Sequence, residues 1–440
     1  MDKSLIITNL EDYSTSSLVM KINVLIQLRG VVERALEGTA KLNKSFRKFF
    51  CETMILYITM FGRINYTAMS RNSDSCESTF RQNFKRKFDW LAFNRQFVRG
   101  AGSRRTAIAI DPSYIDKSGK KIPGLGYFWS GCAKMAKWGL EILGIAFIDA
   151  DLANAVHLRA VQTFKGRKRR GRKPAFMKFM KKADGLVCKY LEAVYKYRKE
   201  LLKLSGMVVA DAFFANGPFV KGLRAIGFHL ISRLHDNAKM RYLYTGEQKG
   251  GRGRPKKYDG HVDLDNLRPG VFSLMVIPDG NGESVVLHIG NVWVDCLGME
   301  CKVVVADYTE PEKKTQTRKV YFCTDTTMEG KDIFDLYRTR FQIEFLYRSG
   351  KGLTGLTHCQ ARNEDAQDFA FNMSLSSINV MREFASLYGY ERLSDNSIKL
   401  LMHNAFMLEQ FISISGFSPK RGINDTNFKE LLFHGVRDAG

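Results

Sequence analysis

The sequence predicts an α/β protein whose strand-and-helix middle is interrupted by a β-rich insertion and framed by helical regions at both ends. Three observations carry that expectation. From residue 106 onward, apolar β-like runs each stop at a carboxylate: Thr-Ala-Ile-Ala-Ile-Asp111, Ile-Leu-Gly-Ile-Ala-Phe-Ile-Asp149 and Gly-Met-Val-Val-Ala-Asp211. Between about residues 241 and 323, turns such as Pro278-Asp-Gly-Asn-Gly alternate with strand-like runs at 284–289 and 301–306. Apolar residues at mixed three- and four-residue spacings run through 18–36 and 46–61, and 362–440 reads as helical throughout.

Within the middle, residues 174–204 read as a basic helix, 218–226 as a helix and 228–233 as a strand. A basic tract precedes the first of these. Ten of the eighteen residues in 165–182 are Lys or Arg, a density that repels itself unless it is solvated or faces phosphate. Residues 332–349 contain no proline or glycine and read as one helix, with Thr326-Thr-Met-Glu329 at capping-box spacing before it.

Composition sets the class. The chain has 440 residues, 45% of them hydrophobic, enough for two or three domains with a substantial core. Its net charge of +23, from 68 Lys and Arg against 45 Asp and Glu, calls for a polyanionic partner. Nucleic acid is the leading reading; charge alone leaves an anionic membrane or ribosomal RNA open. The first residues lack a basic segment followed by an apolar run, and no uncharged apolar stretch approaches the roughly 18 residues of a membrane span. A soluble, cytoplasmic protein follows, with no membrane partner. The eight cysteines are scattered without a Cys-x-x-Cys or a zinc-like His spacing, so reduced, mostly buried thiols are expected.

The chemistry lies in two sets of residues. Tyr337, Arg340, Glu344 and Lys351 are spaced so that, on one continuous helix, their side chains project within an arc of roughly 60°. One carboxylate then stands among two cations and a phenol, with Arg348 in the same segment. Arg340 suits a bidentate phosphate contact and Lys351 a compact charge. The bland alternative is an exposed helix with an ordinary Arg340–Glu344 pair. The second set is the strand-ending acids. Two-metal phosphodiester chemistry needs carboxylates converging from separate elements, and Asp111, Asp211 and Glu344 are the candidates for Mg²⁺, with Mn²⁺ as a substitute. Asp116, Asp149, Asp151 and Asp236 compete for the same roles, since an Asp ending a strand is often a turn former.

Two further segments read as DNA contacts. Residues 64–86 suggest a helix-turn-helix whose second helix carries Arg81 and Lys85, or else a plain helical hairpin. Gly251-Arg252-Gly-Arg254-Pro has the core of an AT-hook peptide, an extended strip whose arginines lie in a narrow minor groove, or else is a flexible basic loop.

On the Tyr337, Arg340, Glu344 and Lys351 spacing together with Asp111 and Asp211, residues 60–390 resemble bacterial insertion-sequence transposases of the DDE class, in the group carrying that tyrosine, arginine, glutamate and lysine signature. The resemblance implies an RNase H-like catalytic core, a mixed sheet flanked by helices, with Asp111, Asp211 and Glu344 as catalytic metal ligands. Tyr337, Arg340 and Lys351 would engage phosphates near the element's ends. Phe341 stands where the motif often has Trp, and the first Asp sits in Asp111-Pro-Ser-Tyr, a departure from the more usual context. The implied organisation is a helical DNA-binding domain at 1–100, the catalytic core at 101–240, the β-rich insertion at 241–323, the last catalytic helix at 324–361 and a helical C-terminal region at 362–440. The implied activity is cut-and-paste transposition: water cleaves at the ends and the freed 3′-hydroxyl attacks target DNA in line. Double-stranded DNA, as inverted-repeat ends and target, is the expected partner, bound by a homodimer in a nucleoid-associated bacterial setting. A structure-selective nuclease and a non-catalytic DNA-binding regulator are the alternatives.

Overall fold

The computed structural model describes residues 24–166, 174–180, 185–248, 254–278, 284–310, 315–415 and 426–438. Residues 18–23 of the first expected helix, half of the basic tract (167–173, 181 and 182), Arg252 and the 279–283 turn lie outside them. The described residues fall into two compact units, one within Met1–Phe97, Lys121–Pro123 and Leu346–Gly440, the other within Val98–Lys120 and Gly124–Phe345. The first begins with α1 (Val24–Glu37), α2 (Lys44–Thr59), α3 (Tyr66–Arg71), α4 (Glu77–Asn83) and α5 (Trp90–Arg95). Asn43, Asn65 and Asp89 start α2, α3 and α5 by accepting backbone N–H bonds, which satisfies donors a helix start leaves open.

The second unit is built on one 12-stranded sheet. Its strands are β1 (Thr106–Asp116), β2 (Gly126–Ser130), β3 (Met135–Asp149), β4 (Asn154–Gln162), β5 (Met207–Val209), β6 (His229–Arg233), β7 (Met240–Leu243), β8 (Tyr258–His261), β9 (Phe272–Pro278), β10 (Ser284–Val294), β11 (Met299–Glu310) and β12 (Thr315–Cys323). β4, β3 and β1 pair antiparallel, while β5 joins β1 and β6 joins β5 in parallel. With α6 (Leu186–Leu202), α7 (Gly217–Ala225) and α8 (Gly330–Thr339) alongside, this is the expected RNase H-like mixed sheet flanked by helices. Beyond β6 the insertion continues the sheet antiparallel through β12, β11, β10, β7 and β8.

Local chemistry departs from the sequence expectation in several places. The basic segment 174–204 is not one helix: a 3₁₀ turn at Ala175–Phe179 precedes α6. Thr326 does not cap α8, whose N-cap is Glu329 without a side-chain bond; Thr327 instead donates its N–H and hydroxyl to Asp325. Strands β2 and β4 were not expected, because β4 carries buried His157 and Arg159 and hides its apolar character. Gly139 is required where β3 runs between β1 and β2, since a Cβ there would lie 2.5 Å from the Ile115 carbonyl. Gly139→Ala is expected to destabilise the protein by about 1–3 kcal/mol in denaturant titrations, and an unchanged midpoint would show that the strands can part.

The first unit is completed by α9 (Gln342–Gly352), whose C-terminal residues belong to it, and by α10 (Glu364–Tyr388), α11 (Asp395–Ser415) and α12 (Thr426–Leu432). Its core is aromatic: Phe369 of α10 meets Phe84 at 4.7 Å and Trp90 at 5.1 Å. Buried Asn94 donates to Ser376 and accepts from Asn379, so α5 is locked to α10 by a satisfied polar pair. The end of α2 is held by a cation. Buried Lys399 donates to the carbonyls of Tyr57 and Ile58 at 3.1 and 3.2 Å, favourable at a helix C-terminus. Burial nevertheless pulls its amine down to about 8. A folded value below the unfolded one means that the folded state binds fewer protons between about pH 8 and 10.5, so stability rises with pH across that window. Unfolding free energy is expected to gain up to about 2 kcal/mol from pH 7.5 to 9.5, a rise that Lys399→Met abolishes if this amine is its source.

None of the eight cysteines is in a disulfide, but only four are buried: Cys51, Cys188, Cys301 and Cys323. No helix among the described residues is long and apolar enough to cross a membrane.

A candidate carboxylate site around Arg340

Asp111 lies on β1 opposite Gly144 of β3. The parallel register of β1 with β5 pairs Ile108 with Val208 and Ala109 with Val209; carried on by two residues, it brings Asp111 and Asp211 to one level on neighbouring chains, strands being about 4.8 Å apart. Asp211 has already left its strand. It caps the 3₁₀ turn Ala212–Phe214 by accepting the Phe213 N–H at 3.1 Å, while Ser232 of β6 donates to its carbonyl. The third carboxylate, Glu344, lies in the first turn of α9.

The segment joining Arg340 to Glu344 is the main correction to the sequence reading. Residues 332–349 are not one helix: α8 ends at Thr339, Arg340 is its C-cap, and α9 starts at Gln342. Arg340 and Phe341 carry the join through three-residue backbone bonds, Phe341 N–H to Arg338 O, Ile343 N–H to Arg340 O and Glu344 N–H to Phe341 O. Such a tightened turn redirects the chain without a proline. α9 in turn continues past Gly350 to Gly352, so Lys351 is helical; a Cβ at Gly350 would meet Leu375 at 3.0 Å, which is why glycine stands there. Lys351 and Arg348 are exposed and belong to the helical unit.

At the turn, Arg340 is turned inward. Only 13% of its side chain is exposed; Nη1 lies 3.4 Å from Asp111 Oδ1 and Nη2 3.0 Å from Glu344 Oε1. Burial lowers the stability of its charge, but Asp111, Tyr337, Glu344 and Asp211 together raise its pKa above the ordinary value. Asp211 feels the opposite pair of forces: burial raises its pKa and Arg340 lowers it, with a net rise. Tyr337 stacks on Tyr321 of β12 at 4.7 Å, and burial raises its phenol. One guanidinium thus bonds two of the candidate carboxylates and interacts electrostatically with the third, Asp211. Its Nε makes no hydrogen bond.

The helix that delivers Arg340 is itself anchored by Arg105, which bonds Asp151 at 2.5 Å, Asp332 at 2.8 Å and Asp335 at 3.1 Å. The competing acids are spent elsewhere. Asp149 accepts from Asp151 and Leu152 in a turn, Asp236 pairs with Arg233, and Asp116 accepts from Tyr114. Sequence reading missed Glu141 of β3, buried and bonded by Tyr190 of α6 at 2.7 Å, its carboxyl raised by burial. Its register opposite Tyr114 could have marked it only with β3 extended back to Met135.

The carboxylates offer the hard oxygen donors that Mg²⁺ or Mn²⁺ prefers, and a cation already sits among them. Among the described residues, however, no three acidic, His or Cys side chains are close enough to form a ready metal cage. Arg340 bonds both Asp111 and Glu344. Elsewhere, α3 and α4 are two short helices joined by a turn within 64–86, as both the helix-turn-helix and the plain-hairpin readings require; Arg81 pairs with Glu77 and lies over the Tyr66 ring at 5.2 Å, and Lys85 is exposed just beyond. Arg254 is exposed.

Family comparisons find two models of the DDE kind that overlap this sheet and its acids. Residues 51–269, containing Asp111 and Asp211, match a family model described as DDE superfamily endonuclease. Residues 193–380, containing Asp211 and Glu344, match one described as Transposase DDE domain. Together these support a nuclease-type enzyme of the DDE transposase kind. No curated protein matches the sequence. Among solved structures, a piggyBac transposase synaptic complex with hairpin DNA aligns with a TM-score of 0.41 and 13% identity, over 91% of this chain and 78% of that chain.

Proposed function

We propose that this protein is the transposase of a bacterial insertion sequence, cutting DNA at the element's inverted-repeat ends and joining the freed 3′-hydroxyls to target DNA, as a homodimer on DNA. The carrying observation is that Asp111 of β1 and Glu344 of α9 bond one cation position, that of Arg340, with which Asp211 at the end of β5 interacts electrostatically. These three would hold Mg²⁺ or Mn²⁺, which when bound makes an oxygen nucleophile available at neutral pH and offsets charge on the reacting phosphate. The protein's own part is positioning. The β1–β5 pairing sets Asp111 and Asp211 side by side, Ser232 and the Phe213 N–H fix Asp211, and the Arg105 anchor fixes α8 and the turn that presents Glu344. Arg340 must yield its place among the acids for a metal to enter, and is then free to meet a phosphate oxygen. Exposed Lys351, Arg348, Arg81, Lys85 and Arg254, with Arg252, are proposed DNA contacts, and the net charge of +23 favours that partner.

The test is a plasmid carrying the reading frame's flanking inverted repeats, incubated with the full chain and Mg²⁺. Cleavage at the ends followed by joining of a precleaved end to a second DNA supports the transposase. Cleavage without joining supports a structure-selective nuclease instead. Binding without any metal-dependent nicking supports a DNA-binding regulator.

A further inference from the structure

The hairpin of β2 and β3 carries an aromatic face that the carboxylate chemistry does not use. Tyr127 and Trp138 are paired across the strands, and Trp129 lies two residues along on the same face, opposite Ala136. Their exposures are 62%, 40% and 64%, unusual for side chains of this size. The face is ordered. Tyr127 and Trp138 meet edge-to-face at 5.4 Å, the Trp138 indole donates to the Gly119 carbonyl at 3.3 Å, and Tyr114 donates to the Trp138 carbonyl at 2.6 Å. On the reverse side Phe128 is fully buried and fixes the hairpin to the sheet.

The hairpin's own charge is positive, with Asp116 of β1, opposite Gly139, an acid beside it. Lys134 is exposed in the hairpin turn, Lys137 is exposed opposite Phe128 on the reverse face, and between Lys117 and Leu140 the sequence contains no Asp or Glu. An apolar protein partner would gain nothing from that bias, whereas a polyanion with flat apolar faces would gain from both features. Unpaired nucleotides fit this description: each base offers a π-face for stacking, and each phosphate a charge for lysine. Bases within a duplex are already stacked on each other and leave no face open to a flat aromatic platform. The platform also shares a strand with the site, since β3 runs from Trp138 to Gly144, the partner of Asp111, roughly 20 Å at the usual strand rise. A short unpaired segment can span that distance.

We infer that Tyr127, Trp129 and Trp138, with Lys134 at the hairpin turn, form a binding platform for single-stranded or locally unpaired DNA beside the carboxylate site. The inference rests on the DNA reading proposed above. It is tested by fluorescence polarisation of the full chain with a labelled twelve-nucleotide oligo-dT and, separately, a labelled mixed-sequence duplex. Relative to the parent, a Tyr127→Ala and Trp129→Ala double variant is expected to weaken oligo-dT binding by at least about tenfold, from the loss of two stacking partners, with duplex affinity within about twofold. A Lys134→Ala variant, which leaves the rings in place, is expected to lower the salt dependence of oligo-dT binding by roughly 0.7 log unit per log of salt. Unchanged oligo-dT affinity in both variants, with duplex binding intact, overturns the platform and leaves the DNA reading standing. A change in molecular mass by light scattering in the aromatic variant, without a change in oligo-dT affinity, overturns it in favour of a protein interface. Failure of the parent chain to bind either DNA overturns the DNA reading, and the platform with it.

Discussion

Asp111→Ala, Asp211→Ala and Glu344→Ala are each expected to reduce Mg²⁺-dependent cleavage by well over 100-fold, beyond the roughly 10- to 100-fold cost of losing an outer partner of a metal ligand. DNA binding should remain, because the exposed cations proposed as contacts are untouched. The expectation follows from convergence: each acid comes from a different element, yet each raises the charge stability of the same guanidinium. A purely structural ion pair would need one carboxylate, not three. Cleavage rates measured across Mg²⁺ and Mn²⁺ titrations decide the matter, with binding by electrophoretic shift as the control. Near-parental cleavage by any one variant removes that residue from the proposed set. Glu141 supplies a contrast, since its carboxyl is buried and bonded by Tyr190.

Arg340→Ala is expected to destabilise the metal-free protein at neutral pH by about 3 kcal/mol, the cost of leaving a buried charge without its partner. Most of this comes from Asp111, whose side chain is 15% exposed; Glu344, at 38%, is screened by solvent and adds little. The penalty depends on ionised carboxylates and shrinks as acid neutralises them. Asp211 works in the same direction. Its folded pKa is raised, so the folded state holds its proton more tightly and loses stability as pH rises above the ordinary carboxylate range. Added Mg²⁺ or Mn²⁺ should then raise the Tm of the variant more than that of the parent, because the metal no longer competes with a guanidinium for the same oxygens. The phosphate-clamp reading predicts otherwise. An arginine that serves chiefly DNA leaves stability unchanged when removed and lowers the salt slope of binding by about 1, so thermal denaturation and salt titration separate the two roles.

The reading of Arg340 shows where sequence stops. Its spacing from Glu344 is visible in the chain, and so is the ordinary expectation that residues four apart on a helix meet. They do meet, at 3.0 Å. What the chain does not display is that the helix breaks between Thr339 and Gln342 and that the guanidinium turns toward Asp111, 229 positions earlier. No proline or glycine signals that break. Strand β2 was hidden for a similar reason, since Tyr127 and Trp129 face solvent where an apolar alternation is expected to mark burial. The helical ends were each legible from their periodicity, but their packing into one unit around Phe369 depends on contacts between residues hundreds of positions apart.

By itself the sequence determined the alternation of strands and helices, the insertion ahead of the last acidic helix, the basic charge and a short set of candidate acids, because periodicity, turn chemistry and strand-end placement are local properties of the chain. Only the tertiary structure decided that two of the acids bond one cation, that the helix carrying Glu344 is a separate helix from the one carrying Tyr337, and that an aromatic hairpin lies along the same strand. Those facts depend on register between distant strands and on the burial of charge, and neither is written in neighbouring residues.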